Sequence, residues 1–167
     1  EVPVLLGGRP VHLLAWHPTP PVFDGPEDRN GRRNRDEAAF WLQRLSGTFG
    51  PPPAPPFALL GTTNLDPADG DGRPDAIRAL LAHPALRDTG PRGTSGRSDA
   101  QHRGDPALDT ALFDPGPGGL RVDVVLPSAD LGVAASGVMW PPESYPLGAT
   151  LAAASRHRPV WVDLTMP

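Results

Sequence analysis

The sequence predicts an α/β domain in which helices back a mixed sheet. Three observations carry that expectation. Several short apolar runs stop abruptly at polar turns, as buried strands do. Two other segments space their apolar residues at helical intervals. The 24 prolines and 19 glycines cluster between these segments, so they read as long loops between ordered elements rather than as a disordered chain.

Val2 to Leu6 and Val11 to Trp16 read as a strand pair turning through Gly7-Gly8. His17-Pro18-Thr19-Pro20-Pro21 then stiffens the chain, and a polar, charged loop runs on to Arg33. Asn34, with Glu37 three residues later, has the form of a capping box. Ala38, Trp41, Leu42 and Leu45 follow as one helical stripe. Gly47 to Pro56 is too proline-rich for a regular element. Phe57 to Gly61 is the next buried strand, and Asp66 to Gly72 is an acidic turn without the ligand spacing of an EF-hand. Pro74 opens a second helix carrying Ile77, Leu80 and Leu81. Residues 88–106 lack any period and read as a mobile surface loop. Leu120 to Pro127, Val133 to Val138 and Pro159 to Leu164 complete the strands. Two helices are few for so many apolar strand faces, which suggests that part of the domain lies outside this chain.

Composition sets limits on function. Without cysteine there are no disulfides and no thiolate metal sites. A net charge of -4 neither favours nor excludes a nucleic-acid partner. No apolar run approaches the roughly 20 residues of a membrane span, and no signal peptide is visible. Glu1 to Leu6 reads like the interior of a domain.

Four polar residues sit at strand ends, where α/β sheets build their sites: His17, Asn64, Asp123 and His157. Two imidazoles, an amide and a carboxylate suit a phosphate ester. Protonated histidine donates to phosphoryl oxygens, asparagine orients them or a water, and aspartate fixes a histidine tautomer or ligates a hard cation. The structural alternatives are an Asp123 paired with Arg121 and a solvated arginine face at Arg29, Arg32, Arg33 and Arg35. If that face lines a cleft, Arg29 and Arg32 would bind substrate phosphate. His83 and His102 read as exposed, His12 as structural, and the four tryptophans as core.

Read in order, the segments His17–Pro21 and Phe23–Gly31, Gly61-Thr62-Thr63-Asn64, Arg121–Ser128 and Ser155-Arg156-His157 are similar to motifs of the endonuclease/exonuclease/phosphatase family. The long proline and acidic loop resembles a bacterial subgroup of often exported members, so an exported or periplasmic location is compatible with it. The resemblance implies part of a four-layered α/β sandwich like that of deoxyribonuclease I, with mixed, largely antiparallel sheets. It implies hydrolysis of a phosphodiester or phosphomonoester with a divalent cation, usually Mg²⁺. His17 and His157 would polarise the phosphate, Asn64 would orient it or the attacking water, and Asp123 would join the acidic cluster.

The chain departs from that pattern twice. Thr62 stands where the family has the aspartate of Gly-Asp-x-Asn, and Arg156 where it has the aspartate of Ser-Asp-His. Threonine is no carboxylate base, and arginine has the wrong sign beside a cation. The resemblance spans the carboxy-terminal half of such a domain, leaving the amino-terminal half, with an asparagine and a metal-binding glutamate, to lie outside residues 1–167. It therefore implies impaired hydrolysis, or a non-catalytic relative that binds a phosphate ligand or a protein.

Overall fold

The computed structural model describes residues 1–93 and 101–166. Strands β1 (Val2–Leu6) and β2 (Arg9–Trp16) form the expected antiparallel pair, turned by Gly7 and Gly8 at φ 58° and 82°. Helix α1 (Arg29–Leu45) is the crossover from β2 to the parallel strand β3 (Phe57–Thr62). Helix α2 (Asp75–Leu81) precedes a 3₁₀ turn at Pro106–Leu108, then β4 (Ala111–Phe113), β5 (Gly118–Leu120), β6 (Asp123–Pro127) and β7 (Gly132–Val138). Helix α3 (Pro146–Ala154) and β8 (Val160–Thr165) close the order.

The main sheet has the order β1-β2-β3-β6, with β3 parallel to β2 and antiparallel to β6. Strands β4 and β5 form one two-stranded sheet, and β7 and β8 another. The content is thus mixed α/β with mixed sheets, as expected from the sequence. The principal core fills the space between the main sheet and the first two helices. Leu14, Phe57, Leu59, Val124 and Leu126 come from the sheet, Leu45 from α1, and Ile77 and Leu80 from α2. Leu59 is wholly buried on the central strand. Truncating such a leucine to alanine costs about 2–5 kcal/mol.

Several expectations are corrected by long-range contacts. Helix α1 starts at Arg29, not at Asn34, because the Asp24 carboxylate accepts the Asn30 amide more than one turn earlier. Asn34 is buried inside the helix and has a bridging role instead. The run from Leu120 to Pro127 is two strands, not one. Between them, Asp66 Oδ2 accepts the Arg121 amide, and Thr110 Oγ1 accepts those of Val122 and Asp123. Side chains have taken donors that a continuous ladder would use. A third helix, α3, adds to the two expected, and its proline at the first turn followed by an alanine-rich end was the available signal. Trp161 is 40% exposed rather than core, while Trp140 is buried under Arg158, whose guanidinium carbon lies 4.8 Å from the ring centre.

The expected mobile loop at 88–106 is anchored at both described ends; its residues 94–100 lie outside the described residues. Asp88 pairs with Arg121, and Gly93 N donates to Ala107 O at 2.8 Å. His102, expected to be exposed, is half-buried, with little of its side chain in solvent. Its Nε2 lies 3.1 Å from Asp109 Oδ1, and its Nδ1 lies 3.1 Å from Gly104 O and 3.6 Å from Asp69 Oδ2. Asp109 fits because residue 119 is glycine: a Cβ there would stand 2.1 Å from Asp109 Oδ2. No helix among the described residues is long and apolar enough to cross a membrane.

Candidate active site

Register brings the polar strand ends to one edge of the main sheet. Trp16 on β2 faces Gly61 on β3, so the chain leaves both strands there as His17 and Thr62. Across β3, Thr62 faces Asp123, the first residue of β6. Gly61 has φ 145°, and a Cβ on it would lie 2.0 Å from Trp16 O. Only glycine lets the two strand ends approach this closely.

Two asparagines tie the loops beyond this edge. Asn64 adopts a left-handed backbone (φ 51°), and its Nδ2 donates to Pro18 O at 2.8 Å. Buried Asn34 Nδ2 donates to Thr19 O at 2.8 Å and Thr63 O at 2.9 Å. The loop bearing His17 and the turn bearing Asn64 are therefore held to each other and to α1.

Asp123 and His157 meet directly. His157 Nδ1 lies 2.9 Å from Asp123 Oδ2 and 3.1 Å from Oδ1. The alternative partner for Asp123, Arg121, pairs with Asp88 instead. Strand β4 and its neighbour Thr110 position the histidine. Leu112 N donates to Arg156 O at 2.9 Å, Arg158 N donates to Thr110 O at 2.7 Å, and Ala111 forms a bridge with His157. Phe113 meets the imidazole edge to face, with ring centres 5.7 Å apart. The hydrogen bond to Asp123 raises the His157 pKa above its ordinary value, against burial and nearby Arg158. Nδ1 is engaged with the carboxylate, which leaves Nε2 as the nitrogen that can meet a ligand.

Two clefts flank the Pro18–Asn64 tether. His17 lines the first, about 830 Å³, with Arg29 and Arg32 of α1 and the rings of Trp16 and Trp41. Glu27, Asp36 and Glu37 also line it, and Glu37 accepts from Arg33 at 2.9 Å and from Thr19 N at 2.6 Å. Arg29 and Arg32 have no ion-pair partner among the described residues. Asn64 and Arg156 line the second cleft, about 620 Å³, together with Phe23 and Phe113. The structure thus joins Thr62, Asp123 and His157 by register and hydrogen bond, tethers Asn64 to the His17 loop, and groups Arg29 and Arg32 with His17.

The donors at this edge do not fit a magnesium ion. No group of three or more His, Asp or Glu that could hold a metal occurs among the described residues. Asp123 is engaged with His157, the Thr62 hydroxyl donates to Val122 O at 3.1 Å, and Arg156 brings a positive charge. A hard cation needs several oxygen ligands, carboxylates above all.

Sequence reasoning missed three residues that shape this edge: Thr110, which holds the start of β6; Phe113, which packs on His157; and Asn34, which was assigned to a cap. Each acts across a long sequence separation, and no local pattern marks it.

The model of the Endonuclease/Exonuclease/phosphatase family matches residues 2–157. No curated protein and no solved structure matches the chain significantly.

Proposed function

The chain belongs to the endonuclease/exonuclease/phosphatase family, and on that premise we propose that its sheet edge binds a phosphate ester and is a weakened phosphoesterase site. Members of the family generally hydrolyse phosphate esters with divalent cations. The observation that carries the reading is the Asp123–His157 pair, register-matched to Thr62 at the mouth of the sheet. Asp123 holds the imidazole by Nδ1 and favours its protonated form, so Nε2–H is available to a phosphoryl or leaving-group oxygen. Asn64 orients the ester from the turn after β3. Arg29 and Arg32 contribute positive charge from the neighbouring cleft, beside the imidazole of His17. The weakness lies at Thr62 and Arg156, where a base and a cation-binding carboxylate would stand. In this reading the sheets belong to a four-layered sandwich; that part rests on the family resemblance.

Turnover of bis-p-nitrophenyl phosphate and p-nitrophenyl phosphate with Mg²⁺ tests the proposal. The double variant Thr62→Asp, Arg156→Asp is expected to exceed the wild-type rate by about 10²-fold, the lower end for a restored general base. Absence of Mg²⁺-dependent turnover in both proteins would sink the hydrolytic reading. A second reading, a non-catalytic phosphate binder, is favoured by Arg156, which lines the second cleft and has no side-chain partner among the described residues. It predicts phosphate binding in chelator that Arg156→Ala abolishes.

A further inference from the structure

The second cleft differs chemically from the first, and the difference points to what is esterified to the phosphate. Phe23 is 92% exposed, an unusual state for a phenylalanine, and its backbone sits at φ 68°. A non-glycine residue there is strained unless its surroundings hold it. They do: the Asp24 carboxylate accepts Asn30 N, and Val22 O accepts Asn30 Nδ2 at 2.7 Å. The flanking residues are fixed by the start of α1, while the ring itself is left on one wall of the cleft. Phe113 stands on the same cleft's lining and touches the edge of His157. Leu65, Leu120 and Val122 back the cleft from the core, where they are buried.

Charge distribution decides what such a cleft can take. Arg156 and Asn64 are also on its lining and carry its side-chain N–H donors among the described residues, one Asn64 N–H being given to Pro18 O. Asp66, Asp69 and Asp71 line it as well. The Asp66 and Asp69 carboxylates are occupied by backbone amides, but Asp71 is exposed. Carboxylates on the wall oppose a second phosphate, whereas aromatic and aliphatic side chains suit an uncharged ring. The volume, about 620 Å³, is in the range of small-molecule sites.

We propose that the cleft between Phe23 and Phe113 is an aryl subsite: it takes the aromatic group of an aryl phosphate ester whose phosphate is met by Arg156 and Asn64. The subsite rests on the phosphate-binding reading above and specifies its substrate class. Phe23 stacks on the ring. Phe113 bounds the ring's other side and sets its distance from His157.

Equilibrium binding separates this proposal from the question of turnover. Phenyl phosphate, methyl phosphate and inorganic phosphate would be titrated calorimetrically into the wild-type chain, Phe23→Ala and Phe23→Tyr. Phenyl phosphate should bind about tenfold more tightly than methyl phosphate, the lower range of a ring stacked on an aromatic side chain. Phe23→Ala should erase that preference and leave inorganic phosphate unchanged, while Phe23→Tyr should keep it. Because the Phe23 side chain is exposed, its truncation does not threaten the fold. Equal affinity for phenyl and methyl phosphate, no measurable phenyl phosphate binding, or an unchanged preference in Phe23→Ala would each overturn the subsite. Aryl-selective binding without Mg²⁺-dependent turnover supports the subsite while counting against hydrolysis; turnover without aryl preference does the reverse.

Discussion

Two histidine–aspartate pairs of nearly equal length occupy opposite surroundings. His157 and Asp123 lie 2.9 Å apart, with side chains 35% and 17% exposed. His102 and Asp109 lie 3.1 Å apart, with side chains 9% and 3% exposed. In the first pair the carboxylate engages one ring nitrogen, and the other is open to a ligand. In the second, both nitrogens are used. Gly104 O can only accept, so Nδ1 of His102 must carry a proton, and the contact between Nε2 and Asp109 needs a second proton to be favourable. A short His–Asp contact therefore does not identify a working acid. A nitrogen left free at an accessible edge makes His157 a candidate, whereas His102 is a latch that fastens the 101–109 segment to the turn at Asp69.

The largest effect should come from breaking the latch. Asp109→Ala leaves a buried imidazole without its partner and opens space beside Gly119, so it should destabilise the fold by about 3 kcal/mol, read from the midpoint of urea unfolding. Asp123→Ala, on the more open pair, should cost about 1 kcal/mol or less by the same measurement. Equal losses at the two sites would remove the distinction between latch and site.

Acid–base behaviour sharpens the comparison further. Burial lifts the Asp109 carboxyl to about 6, and His102 is held above its ordinary value by Asp109 against the opposing effect of burial. A raised folded pKa means that the folded state binds the proton more tightly. Asp109's contribution is thus greatest below its unfolded value and declines as pH rises from about 4 to about 6. The contribution of His102 is present below 6.5 and is lost as pH climbs through its raised folded value. Both slopes have the same sign, so stability from this cluster should fall on going from acid to neutral pH. Asp109→Asn can donate to a neutral imidazole and should flatten that slope. Unfolding free energies at a series of pH values give the comparison, and a variant as steep as the wild type would contradict it. Carboxylates held low, such as Asp69 and Asp105, act oppositely below about pH 4, which is why the difference between the two proteins is the quantity to follow.

The smallest effect concerns the other pair. Asp123→Asn should lower the His157 pKa back toward 6.5 with little change in stability, as followed by the imidazole proton resonances. An unmoved titration would mean that the hydrogen bond to Asp123 does not hold the proton at the sheet edge.

Much of the architecture can be read from local pattern. Alternating and continuous apolar runs mark β1, β2, β3 and β8, because a strand buried on a face must repeat its apolar residues at short range. The Gly-Gly turn marks the first hairpin for a steric reason. The start of α1 is not legible in this way. Asn34 and Glu37 imitate a cap, but tertiary contacts recruit Asn34 to two distant carbonyls and give Glu37 to Thr19. The split of the Leu120–Pro127 run has a similar cause: its amides are claimed by Asp66 and Thr110, 55 and 12 residues away.

By itself the sequence determined the α/β class, the family, and the residue types that stand at each strand end, Thr62 and Arg156 among them. These are properties of residue type and near spacing, which the chain carries before it folds. The tertiary structure decided which groups meet. It joined Asp123 to His157 and gave Arg121 to Asp88; it enclosed the His102 side chain between Asp109 and Asp69 and left Phe23 facing a cleft. Those choices follow from strand register and from competition for buried hydrogen bonds, both of which exist only once distant segments pack together.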